Sequence, residues 1–451
     1  MLPPLDASQT MEALDAALRS TAADEFEIAV LARAGEYTRF AGQVIHQPQD
    51  ITEVQYLVRA VVDGHPYRVG TATAAGLDRA VAAAADGARV RARLSAAPGE
   101  VKLAGPEKDA QNADHWHEDT AAYDAGRRSA LAKSAMTEAA QAGGEAAGMF
   151  GRAVTQQFVA TTTGIRRTTT ATEASGALTV NIDDGTAHWI DLGRSARRLD
   201  VAGSVSRAVA QARAQRGRAE LPAGSYEVVL GAEAMGELLG FLPALGFSGA
   251  LAADGIGITA RAGEAAASAL VDVADDGGAD VGLPIGFDIE GVTKRRVDFF
   301  RGGLVGEAVT DLASAAALGR PSTGHAHIAR EQLPEPEAAN IVMAAGGAAE
   351  EELIAQVERG VYLQRFWYTR LVDRVTGTIT GVTRDACFLI EDGRLAAPLA
   401  GMRFTQSVLG VLAGITAVGS DVRSQPIMNV WNGCVSAPSA RAASFRLGVA
   451  P

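Results

Sequence analysis

Apolar residues recur at helical spacing near the start of the chain, at Met11, Leu14 and Leu18, with Ser8 placed to cap that helix. Alternation then takes over. Residues 26–34 read as a strand, Gly35-Glu36 as a turn, and 37–47 as a second strand. Residues 54–62 and 67–72 flank Asp63-Gly64, a pair suited to the backbone of a tight hairpin. An alanine-rich helix over 77–94 follows.

The stretch 95–118 mixes Pro, Gly, Asp and Lys without periodicity and reads as a linker. Beyond it the plan repeats, with a helix over 121–142, strands over 149–161, 165–174 and 177–192, and a helix over 196–216. Two copies of strands then helix predict duplicated α+β units over 1–94 and 119–221. Pro222-Ala223-Gly224 marks a boundary, after which glycine density rises and short Val/Ile/Leu strands alternate with turns. Residues 222–451 therefore predict a β-rich domain, a twisted sheet or barrel-like, and the fold class is α+β. Its longest helix is expected over 348–359, where Glu350, Glu351 and Glu352 suit a first turn.

Composition narrows the function. A net charge of −12, with four lysines among 41 basic residues and no sustained basic run, argues against a duplex nucleic-acid binder. The apolar run over 408–418 is too short to span a bilayer. The first residues carry neither a basic segment nor an apolar one, so a cytoplasmic protein is expected. Cys387 and Cys434 form no framework of disulfides and no paired motif. Two His-x-His sets, His115/His117 and His325/His327, are compact enough to be weighed as ligands. The first sits among acidic residues in the linker and reads as solvated; the second reads as polar lining of a cleft. No Gly-x-Ser-x-Gly elbow and no Gly-x-Gly-x-x-Gly loop occur.

Several segments, taken in order, carry a family resemblance. Val228-Val229-Leu230-Gly231 leads into a helix-like stretch ending at Leu245. Phe287-Asp288-Ile289-Glu290-Gly291-Val292, Pro321-Ser322-Thr323-Gly324-His325-Ala326 and Phe388-Leu389-Ile390-Glu391-Asp392-Gly393 follow. Together they resemble the TldD/PmbA family of paired metalloprotease subunits, along essentially the whole chain. In the metal-bearing subunit a His-Glu-x-x-x-His motif follows the first of these strands. Aligned from Val228, its three chemical positions fall on Gly240, Phe241 and Leu245, and Pro243 interrupts the helix. None of these can ligate zinc or take a proton from bound water.

The resemblance therefore implies a TldE/PmbA-like subunit with no catalytic residue and no metal of its own. Zinc is expected in a partner that bears the motif. The pair would cleave extended peptides or peptide-like intermediates, in natural-product maturation or general turnover. Phe241, His325 and Cys434 are the candidates for the cleft; Cys434 falls about where the metal-bearing subunit places a third ligand. The competing reading is a standalone, homodimeric peptide-binding or regulatory protein without hydrolytic activity. Contact with the partner is expected through residues 226–451, with Gly302-Gly303-Leu304 and the run 408–418 as candidates.

Overall fold

The structure is a computed structural model describing residues 3–19, 25–95, 99, 101–108, 114–328, 336–427 and 433–448. Its first half is one antiparallel sheet built from β1 (Glu25–Ala41), β2 (Val44–Val62), β3 (His65–Thr71), β4 (Glu145–Thr161), β5 (Arg166–Ile182) and β6 (Gly185–Gly193). The strand order is β3-β2-β1-β4-β5-β6, with β1 and β4 paired at the centre. Each half contributes a helix, three strands and a helix. The helices are Ala7–Arg19 and Leu77–Leu94 in the first half, and Ala125–Gln141 and Val201–Ala214 in the second. The duplication is thus visible in the sheet itself.

All four helices pack on one face. Phe26, Ile28 and Val30 of β1 meet Leu14, Leu18 and the alanines of Leu77–Leu94, while Phe150, Leu178 and Trp189 meet the second pair. Alanine-rich helices seat close to a sheet because their small side chains let the backbones approach. The hairpin predicted at Asp63-Gly64 is present, with both residues at positive φ (48° and 74°).

The second half holds β7 (Gly224–Leu230), β8 (Val273–Asp275), β9 (Val297–Arg301), β10 (Leu304–Val305), β11 (Asn340–Met343), β12 (Arg359–Asp373) and β13 (Thr378–Glu391). These are followed by β14 (Arg394–Pro398), β15 (Arg403–Ser407), β16 (Ile415–Val418), β17 (Arg423–Pro426), β18 (Cys434–Ala437) and β19 (Ala440–Leu447). Strands β12-β7-β19-β15-β13 close into a five-stranded barrel through the β12–β13 pairing. Closure leaves the barrel without free edges. Phe366, Phe404 and Phe445 pack together in its interior, Phe366 and Phe445 stacked and Phe404 tilted against both. A second sheet, β10-β9-β8-β11-β18-β17, packs against it. The α+β class and the β-rich second half are as expected.

Five details differ. Gly35-Glu36 is no turn: β1 runs through it, paired to Ile51-Asp50 and Ala153-Arg152 on its two sides. The glycine is there for room, since a Cβ would stand 2.7 Å from the Tyr37 hydroxyl. β5 is likewise unbroken between residues 174 and 177, and the chain turns instead at Asp183-Asp184. Asp6, not Ser8, caps the first helix, its carboxylate accepting the Gln9 N–H at 2.8 Å. The helix expected over 348–359 shrinks to Glu350–Ala355, because Arg359 already belongs to β12. The longest helix of this half is Ala232–Leu239.

Candidate functional site

Because the helices cover one face of the first sheet, the odd positions of β1 face the other way. Ala29 packs there against Phe287, Ile289 and Ala326 of the second half. Farther along β1, Leu31 and Arg33 border a cleft of about 630 Å³ between sheet and second half. A second, shallower recess of about 840 Å³ shares Arg33 and Glu53 with it and continues along β1 and β2. At this end β2 has a free edge: β3 pairs only with Tyr56–Val62, so Val44 to Gln55 have no outer strand among the described residues.

Two ion-pair systems hold the walls. Arg33 grips Glu173 in a fork, at 2.7 and 3.0 Å, and donates to the Tyr37 hydroxyl at 3.0 Å. Burial works against the Glu173 charge, but Arg33 outweighs it and holds the carboxyl below its usual range. Arg59 lies between Glu27, at 2.5 Å, and Glu290. This joins the sheet to the second half through the Asp-x-Glu-Gly-Val segment. Asp288 of that segment accepts backbone N–H groups from Glu290, Val292 and Ala326 at 3.0, 3.0 and 2.8 Å. Arg167 lies over the Phe287 ring at 4.4 Å and donates to Thr293 at 2.8 Å. The motif is therefore a docking turn.

Behind the cleft wall runs a buried polar chain. The Asp275 carboxylate accepts from Ala339 N–H at 2.6 Å and Asn340 N–H at 2.8 Å, and meets His325 Nε2 at 2.8 Å. His325 Nδ1 faces the Thr323 hydroxyl at 2.9 Å. Asn340 Oδ1 accepts from the Cys434 thiol at 2.9 Å, and Cys434 Sγ accepts the Leu283 N–H at 3.1 Å. Burial pushes His325 down, so its ring is neutral and Nε2–H donates to Asp275. Burial opposes the Asp275 charge, yet His325 and the backbone donors keep it ionised. Burial pushes the Cys434 thiol up to about 12.

The sequence candidates separate accordingly. His325 and Cys434 come together through Asp275 and Asn340, but both are 0% exposed, and it is their neighbours Ala326, His327 and Gly433 that line the cleft. Phe241 is not at the cleft: it is 1% exposed, in the apolar core with Leu238, Leu242 and Leu245. Gly240 follows directly on the helix Ala232–Leu239, and Pro243 starts a separate 3₁₀ turn, Pro243–Leu245. In the segment read as a linker, Asp114 accepts the Thr170 N–H at 2.7 Å; just beyond it, Asp119 accepts from Ser195 Oγ at 2.7 Å and Arg197 N–H at 2.9 Å. Residues 96–98, 100 and 109–113 of it, and Asn432, lie outside the described residues. Among the described residues no group of three or more His, Cys, Asp or Glu is arranged to hold a metal ion.

Sequence reasoning did not single out Arg33, Glu173, Arg194 or Lys294, which line the cleft. The available signal was a charged residue at an inward position of a strand with partners on both sides, such as Arg33 in β1.

Residues 223–449 match the family model of the PmbA/TldA metallopeptidase C-terminal domain. The chain belongs to the PmbA/TldA metallopeptidase family. A metalloprotease TldD homolog of Haemophilus influenzae is 31% identical to it over 216 residues, 47% of this chain and 44% of that protein. A metalloprotease of Methanothermobacter thermautotrophicus is 28% identical over 206 residues, 45% of this chain and 44% of that one. The chain thus aligns with less than half the length of either relative. The crystal structure of TldE from Thermococcus kodakarensis has the same fold, with a TM-score of 0.85 at 20% identity over 97% of this chain and 100% of that one.

Proposed function

We propose that this PmbA/TldA-family chain is the non-catalytic, TldE-like subunit of a heterodimeric zinc peptidase. The observation that carries the reading is the fate of the motif positions. Gly240, Phe241 and Leu245 stand where the His-Glu-x-x-x-His residues would be. Phe241 and Leu245 are each 1% exposed and packed in apolar core. Such a site does not fit zinc, and Cys434 does not rescue it, since its thiol stays protonated and bonded to Asn340. The metal and the general base then belong to a partner bearing the motif. This chain contributes a cleft wall for an extended peptide, for which the free edge of β2 supplies backbone donors and acceptors.

Co-expression with a motif-bearing homologue tests this. A one-to-one complex that hydrolyses unstructured peptides, with zinc bound to the partner only, is the expected result. A stable homodimer that ignores every such homologue and still binds peptide would favour the standalone binding protein instead.

A further inference from the structure

Charge in the inner cleft does not balance. Arg194, just past the end of β6, is 7% exposed. Its Nη1 and Nη2 donate only to the carbonyls of Thr172, at 3.2 Å, and Pro284, at 2.8 Å. Its Nε is buried with no partner, and among the described residues no carboxylate lies within 4.0 Å of the guanidinium. Glu173, whose charge acts on it through space, is already taken by both arms of Arg33. Burying a cation without an acid is costly unless something supplies the missing charge.

Lys294 lines the same cleft, half-buried, and its amine makes no hydrogen bond or ion pair among the described residues. Asp288 does not answer it, because its oxygens are spent on three backbone N–H groups and its burial favours the neutral acid. The ionised Asp275 acts on Lys294 only through space, its oxygens being held by His325 and the Ala339 and Asn340 N–H groups. Glu53 stands at the exposed mouth. Leu31, Leu283, Ile285 and Phe287 give the same cleft an apolar part of its wall.

We propose that the inner end of this cleft is a carboxylate subsite for an extended peptide, with Arg194 and Lys294 as its cationic walls. The proposal rests on the reading of the cleft as peptide-binding. An extended chain added to the free edge of β2 enters the cleft beside Glu53, Val54 and Gln55. It would set an apolar side chain on Leu283 and Phe287 and its carboxylate between the two cations. A terminal carboxylate and an acidic side chain share this chemistry.

The test uses the full chain, alone and with its partner, and a short unstructured peptide ending in leucine. Three forms are titrated: the free acid, the C-terminal amide, and an amide whose last residue is glutamate. The free acid is expected to bind about tenfold or more tighter than the amide, as for a charge-assisted hydrogen bond. Lys294→Met should erase most of that preference and Lys294→Arg should retain it. Because Lys294 is half-buried, these variants fold even where an Arg194 variant does not. Recovery of affinity by the glutamate amide assigns the subsite to acidic side chains; no recovery assigns it to the chain terminus. Equal binding of acid and amide, or a preference untouched by Lys294→Met, overturns the subsite while leaving peptide binding intact. Failure of all three peptides to bind overturns the peptide-binding reading itself.

Discussion

His325 and Asp275 meet through a 2.8 Å hydrogen bond, with both side chains wholly excluded from solvent. A histidine so placed holds a neighbouring carboxylate rather than receiving substrate. Asp275 in turn fixes the backbone of Ala339 and Asn340, and Asn340 fixes Cys434. Removing one partner of a buried pair leaves the other unpaired. His325→Ala should therefore cost about 2–4 kcal/mol of stability by chemical denaturation. Turnover per folded complex should survive. Loss of turnover with the complex intact would instead make His325 a participant in the reaction.

Arg59 bonds two buried carboxylates, Glu27 and Glu290, from the two halves of the chain. Arg59→Met should destabilise by about 3–5 kcal/mol, since both acids stay buried without a cation. Adding Glu27→Gln and Glu290→Gln should recover much of that loss. A single variant as stable as the parent would show the pair to be dispensable.

Burial and the nearby Asp421 raise the Glu350 carboxyl to about 7, from 4.5. The folded state thus holds a proton that the unfolded chain has released. The stability from this group is complete below about pH 4.5 and is lost as pH rises toward 7. His325 acts in the opposite direction: folded, it resists protonation, so its contribution is lost as pH falls below 6.5. Glu350→Gln should flatten the decline on the neutral side by about 1–2 kcal/mol. Denaturation midpoints between pH 5 and 8 measure this, and an unchanged profile would refute it.

The isolated chain, purified without tag or chelator, should carry no stoichiometric zinc, because Gly240, Phe241 and Leu245 offer no ligand side chain. Elemental analysis decides the point. About one zinc per chain would redirect attention to His115, His117, His325 and His327.

Val408, Val411 and Leu412, in the run expected at an interface, are 0% exposed core. Trp367 and Tyr368 stand out instead, 41% and 69% exposed, with Tyr368 in a left-handed conformation (φ 54°) and Arg370 over its ring at 4.5 Å. Aromatic and arginine side chains of this kind dominate binding energies. Tyr368→Ala should weaken association with the partner by about 1–2 kcal/mol or more in a titration, with no change in thermal stability. If affinity is unchanged, the interface lies elsewhere, with Leu304, 47% exposed, next to be tested.

The sequence by itself determined what depends on local pattern. The helix over 77–94 and the Asp63-Gly64 hairpin follow from spacing and turn chemistry, and so does the β-rich second half. That Gly240, Phe241 and Leu245 carry no side chain able to ligate a metal was equally legible, since this holds in any fold. What it could not show were relations between distant residues. The continuity of β1 through Gly35 depends on β2 and β4 pairing on both sides, which outweighs a glycine's local preference for turns. His325 and Asp275 are 50 residues apart, and Cys434 and Asn340 are 94 apart; only the pairing of β8, β11 and β18 within the second half, and the packing of the His325 segment on them, joins them. The cleft itself arises because all four helices take one face of the first sheet. The other face is left to meet the second half, and no local window of sequence records which face that will be.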